Sequence, residues 1–149
     1  MINENDLLAK IVVFDSGLGS LSVIKEIQKI AKTEIVYFAD QKNYPYGTKS
    51  QAQLNTIMKK TINVLEEKFV PDIIVVASNT PSLMLNLQSN KIVDVKPPLK
   101  LAQKKSKSKK IAILATKSAI RSKGLRNYIK ENNIPKSYKV FKINGSNLV

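Results

Sequence analysis

The chain has 149 residues, 43% hydrophobic and 24% charged. These values sit near globular averages and exclude a disordered or membrane-embedded protein as the expected class. Its 25 basic and 11 acidic residues give a net charge of +14, and it contains neither cysteine nor histidine. Disulfides, Cys/His metal sites and any nucleophile–histidine pair within this chain are therefore excluded.

The opening MINENDLLAK places acids ahead of a short apolar stretch, which is wrong for a secretory leader. Apolar runs such as Ile73 to Ala77 are too short to cross a bilayer. A soluble, cytoplasmic protein with no membrane partner is expected. The basic excess raises nucleic acid as a partner. It is almost all lysine, with Arg121 and Arg126 the arginines, and aromatic residues are scarce. Base readout draws on arginine forks and single-strand binding on aromatic platforms, so nucleic acid is not the expected partner. The densest run, Lys104 to Lys110, reads as a solvated loop.

In chain order, β-branched runs predict strands at Ile11–Asp15, Glu34–Asp40, Asp72–Ala77, Ile92–Val95, Ile111–Thr116 and Tyr138–Ile143. Several are continuously apolar, as in a parallel sheet covered on both faces. Helices are expected at Leu21–Ala31, Ser50–Phe69, Pro81–Gln88 and Ala119–Asn132. The clearest is Ser50–Phe69, where Leu54, Ile57, Met58, Thr61, Ile62 and Leu65 form one helical stripe. The alternation implies βαβ units, hence an α/β fold with a parallel sheet flanked by helices. Pro97-Pro98 and the lysine-rich stretch break the pattern. The expected division is a first α/β domain, 1–96, and a partial second α/β domain, 97–149. With two strands and one helix, the second unit is too small for its own core, so a partial two-domain protein, or one that relies on a partner, is expected.

Ligands of open α/β sheets bind beyond the carboxyl ends of the strands. The first such end is Phe14-Asp15-Ser16-Gly17-Leu18-Gly19-Ser20. Its glycines admit close backbone approach, and Asp15 can accept from an ammonium group. Two other readings compete: a turn in which Asp15 caps the helix, and a degenerate dinucleotide fingerprint, Gly17-x-Gly19-x-x-Ser22. Against the fingerprint, Ser22 replaces the glycine of tight helix packing, and Asp15 would face a pyrophosphate. The second end is Asp40 with Tyr44-Pro45-Tyr46-Gly47-Thr48-Lys49-Ser50, where Thr48 or Ser50 as helix cap is the plain alternative. The third is Ala77-Ser78-Asn79-Thr80-Pro81-Ser82, placing a hydroxyl nucleophile and two hydrogen-bonding side chains at a helix start. A plain Ser/Asn turn with Pro81 in the first helical turn explains it equally well. The fourth is Thr116-Lys117-Ser118, with Ser122 further on.

Together, IVVFDSGLGSLSVIKEI, YFAD…YPYGTKS and IIVVASNTPS resemble the glutamate racemases of the aspartate/glutamate racemase superfamily. The resemblance runs from about Ile11 onward and is strongest before Gln88. It implies an isomerase of D-glutamate biosynthesis, which supplies a peptidoglycan precursor, with two α/β domains clasping an amino acid, glutamate or aspartate. It implies no cofactor, neither pyridoxal phosphate nor metal, since two cysteines on opposite faces exchange the α-proton. Asp15 and Ser16 match the family's substrate-binding pair, Tyr46-Gly47 its PYG segment, and Asn79-Thr80 the residues after its first catalytic cysteine. Thr116 and Ser122 match hydroxyls of the second domain. The ending Asn144 to Val149 resembles a segment midway through the family, so truncation is expected.

The departures concern chemistry. Ser78 stands where the first cysteine would be, with Asp15 or Asp40 as the candidates to assist it. The second cysteine, in a Cys-Thr-His motif, is missing, Pro97 replaces a glutamate and Ala119 a threonine. The expected function is that of a glutamate racemase homologue with little or no two-base activity in this chain. The alternative is a non-catalytic amino-acid-binding or regulatory protein of the same fold. Oligomeric state is left open.

Overall fold

A computed structural model describes residues 8–87 and 89–146. Strands β1 (Lys10–Asp15), β2 (Glu34–Ala39), β3 (Ile73–Val76) and β4 (Ile92–Asp94) form a four-stranded sheet in the order β2-β1-β3-β4. Every neighbour is parallel. Strands β5 (Lys110–Ala115) and β6 (Lys139–Asn144) form a second, two-stranded parallel sheet. The helices are α1 (Ser20–Ile30), α2 (Gln51–Phe69), α3 (Asn79–Met84), α4 (Leu99–Lys105), α5 (Lys117–Arg121) and α6 (Lys123–Glu131). The fold is α/β, as the alternation predicts.

Alternate residues of β1 feed two apolar layers, because successive side chains of a strand point to opposite faces. Val12 and Phe14, with Ile74 and Val76 of β3, join Leu54, Met58 and Leu65 of α2 in the larger core. Ile11 and Val13, with Val75, pack instead against Val23, Ile24 and Ile27 of α1. The larger core runs on through Leu99, Ile111, Ile113, Ala119 and Leu125, so one buried cluster links both sheets. Helix α2 begins with a capping box, Ser50 Oγ accepting from Gln53 N–H while Gln53 Oε1 accepts from Ser50 N–H. This satisfies two otherwise orphaned donors and fixes the helix start.

Strand positions agree with expectation to within one or two residues, and three helical expectations need correction. The lysine run does not lie wholly in a loop, because Lys104 and Lys105 close α4. That helix has only Leu99 buried, and its lysines mask so thin an apolar stripe. The single helix expected at Ala119–Asn132 is two, broken at Ser122, which is extended. Its Oγ donates to Ala119 O at 2.7 Å and accepts from Leu125 N–H at 3.0 Å, ending α5 and capping α6 with one hydroxyl. Helix α3 starts earlier than expected, at Asn79, and ends at Met84; Gln88 lies outside the described residues, as do residues 147–149 of the ending. No helix among the described residues is long and apolar enough to cross a membrane.

Candidate functional site

In the order β2-β1-β3-β4, the chain leaves β1 toward β2 on one side and returns to β3 on the other. The crevice between the carboxyl ends of β1 and β3 is therefore the topological switch point, where backbone ends splay apart and leave room for a ligand. A cleft of about 680 Å³ lies there. Asp15, Ser16, Tyr46, Gly47, Ser78, Asn79, Thr80 and Thr116 all line it. The four strand ends singled out in the sequence thus converge on one cavity.

At the first end, Ser16 N–H donates to Asp15 Oδ1 at 2.6 Å, curling the carboxylate back over its own turn. A Cβ on Gly19 would stand 3.1 Å from Asp15 Oδ2, so the glycine leaves room for that carboxylate. Gly19 is the N-cap of α1 and no side chain caps that helix, which sets aside the reading of Asp15 as a cap. Tyr37 Oη–H holds Gly17 O at 3.1 Å from the neighbouring strand.

The second end is stiffened from below. Asp40 is buried and accepts from Tyr46 Oη at 2.8 Å and from Asn43 Nδ2 at 2.9 and 2.8 Å. Burial, then the hydrogen bond and charge of Asp40, then the charge of Asp15, push the Tyr46 phenol above its ordinary range. Ionising the phenol would add a third negative charge to a poorly solvated spot, so Tyr46 stays a donor. Locked in this way, it presents Gly47 to the cleft. Thr48 turns back to Pro45 O, and Ser50 rather than Thr48 caps α2.

The third and fourth ends meet directly. Thr80 Oγ1 lies 3.2 Å from Thr116 Oγ1, which lies 3.3 Å from Ser118 Oγ. Ser118 Oγ donates to Gly47 O at 2.8 Å, so a run of hydroxyls ties the two sheets across the cleft. A Cβ at Gly47 would fall 2.6 Å from Thr116 Cγ2, and only glycine permits that approach. Ser78 is the N-cap of α3 without capping through its side chain, and its carbonyl accepts from Ser82 Oγ at 2.7 Å. No base among the described residues is hydrogen-bonded to its hydroxyl. Asp15 lines the same cleft as Ser78. Among the described residues, no three His, Cys, Asp or Glu side chains group closely enough to hold a metal ion.

Sequence reasoning finds the residues that line the cleft more readily than those that support them. Asn43 as a clamp on Asp40 was missed. Ser118 stands out in the sequence only as part of a hydroxyl-rich strand end, and Leu114 and Gly145, which line the far wall, carry no polar signal. Ser122, a candidate by position, is buried at the joint of α5 and α6 and does not line the cleft.

Known proteins resemble this chain in sequence and in fold. The glutamate racemase of Aliarcobacter butzleri is 38% identical over 120 residues, a stretch covering 76% of this chain and 46% of that protein. The chain is a homologue of the glutamate racemases. The solved glutamate racemase from Aquifex pyrophilus superposes with a TM-score of 0.75 at 30% identity, over 94% of this chain and 57% of that one. The glutamate racemase from Francisella tularensis, solved in complex with D-glutamate, gives a TM-score of 0.72 at 26% identity, over 90% of this chain and 52% of that one. No protein-family model matches the chain. The chain spans about half the length of the curated glutamate racemases it matches.

Proposed function

We propose that the cleft holds a small amino acid, glutamate before aspartate, and that this chain as it stands performs little or no two-base racemisation. The observation that carries the reading is the convergence of one acceptor, Asp15, with the donors of Ser16, Asn79, Thr80 and Thr116 at the switch point. An α-amino acid offers the complementary set, an ammonium beside a carboxylate. In this reading Asp15 takes the ammonium, the hydroxyls and amide hold carboxylate oxygens, and Tyr46-Gly47 shape the backbone wall. Glutamate is preferred because the Francisella homologue was solved with D-glutamate. The division into 1–96 and 97–149 belongs to the same proposal, each part supplying one wall.

Binding alone does not make turnover. Inverting an α-carbon requires one group to take the proton and another, on the opposite face, to return one. A cysteine, with an ordinary pKa of about 8.5, is readily drawn down to a thiolate. A serine hydroxyl is far weaker and needs an adjacent base, which Ser78 lacks among its hydrogen-bond partners. The chain offers no cysteine for either face. A binding protein without turnover, the alternative reading, is favoured by this same unassisted hydroxyl.

The test is incubation with L-glutamate in D₂O, followed by NMR and chiral analysis. The expected result is no D-glutamate and no α-deuteration above the uncatalysed rate. Ser78→Cys should gain α-deuteration without inversion, because it restores a base on one face only. Inversion by the unmodified chain would overturn the reading.

A further inference from the structure

The net charge of +14 is not spread over the molecule. Residues 1–96 carry 11 basic and 10 acidic side chains, whereas residues 97–149 carry 14 basic residues and one acid, Glu131. Such asymmetry between two parts of a chain points to a polyanion as partner. The fold gathers six of these lysines at one place. Lys104 and Lys105 close α4, Lys107 and Lys109 lie in the turn that follows, and Lys110 and Lys139 open β5 and β6. All six are exposed. Three contacts draw these segments together. Lys139 N–H donates to Lys109 O at 2.8 Å, Ser106 Oγ donates to Lys110 O at 2.8 Å, and Tyr138 Oη donates to Gln103 O at 3.2 Å. The register sets Lys110 beside Lys139, and like charges so placed repel. Lys109 has φ 56°, in the left-handed region that residues with side chains seldom occupy. None of the ion pairs among the described residues involves any of the six.

We propose that this end of the second sheet binds the phosphate backbone of a nucleic-acid duplex without reading its sequence. Lysine ammonium groups are point charges on flexible stems, suited to a repeating lattice of phosphates. The shortage of arginine forks and aromatic platforms counts against reading bases and leaves phosphate contacts untouched. A single strand would call for an exposed ring to stack on. Tyr138, beside the cluster, is half-buried with its hydroxyl turned to Gln103 O, so it offers no such platform. A duplex keeps its bases inside and presents phosphates. An acidic protein is the poorer partner, because the turn at 106–109 has only serines and lysines and no apolar anchor for the dry centre of a protein interface. The site also stands apart from the cleft. The cleft lies at the carboxyl end of β5 and the lysines at its amino end, about 16 Å away along the strand. Neither proposal depends on the other.

The test is fluorescence anisotropy of the full chain with short labelled duplexes, two DNA sequences of unrelated composition and one RNA. Equal affinity for the two DNA sequences is expected. That affinity should fall about 10²- to 10³-fold between 50 and 200 mM salt, the loss that goes with about four or five phosphate contacts. The triple variant Lys104→Gln, Lys105→Gln, Lys107→Gln should bind at least about tenfold more weakly at 50 mM salt, with a shallower salt dependence. A control triple, Lys25→Gln, Lys59→Gln, Lys60→Gln, removes the same charge from exposed positions of α1 and α2 and should bind like the unmodified chain. Circular dichroism and thermal melting should be unchanged in both. Binding of either DNA or RNA supports the proposal, and the tighter of the two names the source. Equal weakening by the two triples overturns it, since charge would then act without a site. So does the absence of binding at 50 mM salt, an affinity indifferent to salt, or a strong preference for one DNA sequence. Tighter binding to polyglutamate or to vesicles of anionic phospholipid than to either duplex would overturn it in favour of an acidic protein or a membrane surface.

Discussion

In the four-stranded sheet, Val12, Val13, Phe14, Ile74 and Val76 are shut away from solvent, with helices on both sides. In the two-stranded sheet, Leu114, Phe141 and Ile143 stand about half exposed on a face that nothing covers among the described residues. Both regions are built from parallel strands joined through helices, yet one buries its apolar side chains and the other displays them. The cleft therefore has unequal walls. Asp15, Ser16, Ser78 and Asn79 rest on a packed scaffold, whereas Thr116 rests on a sheet finished on one side only.

The sharpest way to break this comparison is to truncate one phenylalanine in each sheet. Phe14→Ala should cost ~3–5 kcal/mol in urea unfolding, the loss of a fully buried ring plus the cavity left behind. Phe141→Ala should stay within about 0.5 kcal/mol, as surface changes do. Equal costs would mean that the second sheet is packed as tightly as the first.

A smaller effect is expected where the two regions join. A Cβ at Gly124 would lie 2.0 Å from Leu83 O, so α6 sits directly on the backbone of α3. Gly124→Ala should therefore destabilise by ~1–3 kcal/mol, the range for overpacking, measured by thermal melting. An unchanged melt would show that the contact between α3 and α6 does not hold the regions together.

The smallest effect concerns Tyr46. Its folded-state pKa is raised by burial and by Asp40 and Asp15, so the folded protein disfavours the phenolate more than the unfolded chain does. Its contribution to stability is fully present below the ordinary tyrosine value of about 10 and is lost as pH rises beyond it. Tyr46→Phe should flatten this alkaline loss while costing ~1 kcal/mol at neutral pH for the missing hydrogen bond. Stability curves against pH that superpose for the two proteins would contradict the assignment.

Much of the scaffold was legible because its signals are local. The β-branched runs mark strands, and the stripe from Leu54 to Leu65 marks α2. Cleft-lining residues were legible for the same reason, since Asp15, Ser78 and Thr116 each end or follow a strand and such ends gather in one place. What escaped depends on contacts far apart in the chain. The meeting of Thr80 and Thr116 spans 36 positions and that of Ser118 and Gly47 spans 71, and no local pattern encodes either. Helix α4 was hidden because one buried leucine, Leu99, is too weak a stripe to read among lysines. The break at Ser122 was hidden because a serine cap inside an amphipathic run looks like an ordinary exposed helical position.

Whether the switch-point cleft binds an amino acid through Asp15, Ser16, Asn79, Thr80 and Thr116 is tested most directly by amide NMR during a titration with D- and L-glutamate. Saturable shifts are expected to concentrate at Asp15–Gly17, Ser78–Thr80 and Thr116. Asp15→Asn and Thr80→Val should each abolish them while the rest of the spectrum is preserved. Shifts confined to the lysine-rich segment near Lys104–Lys110, or no saturable shifts with either enantiomer, would contradict amino-acid binding in the cleft.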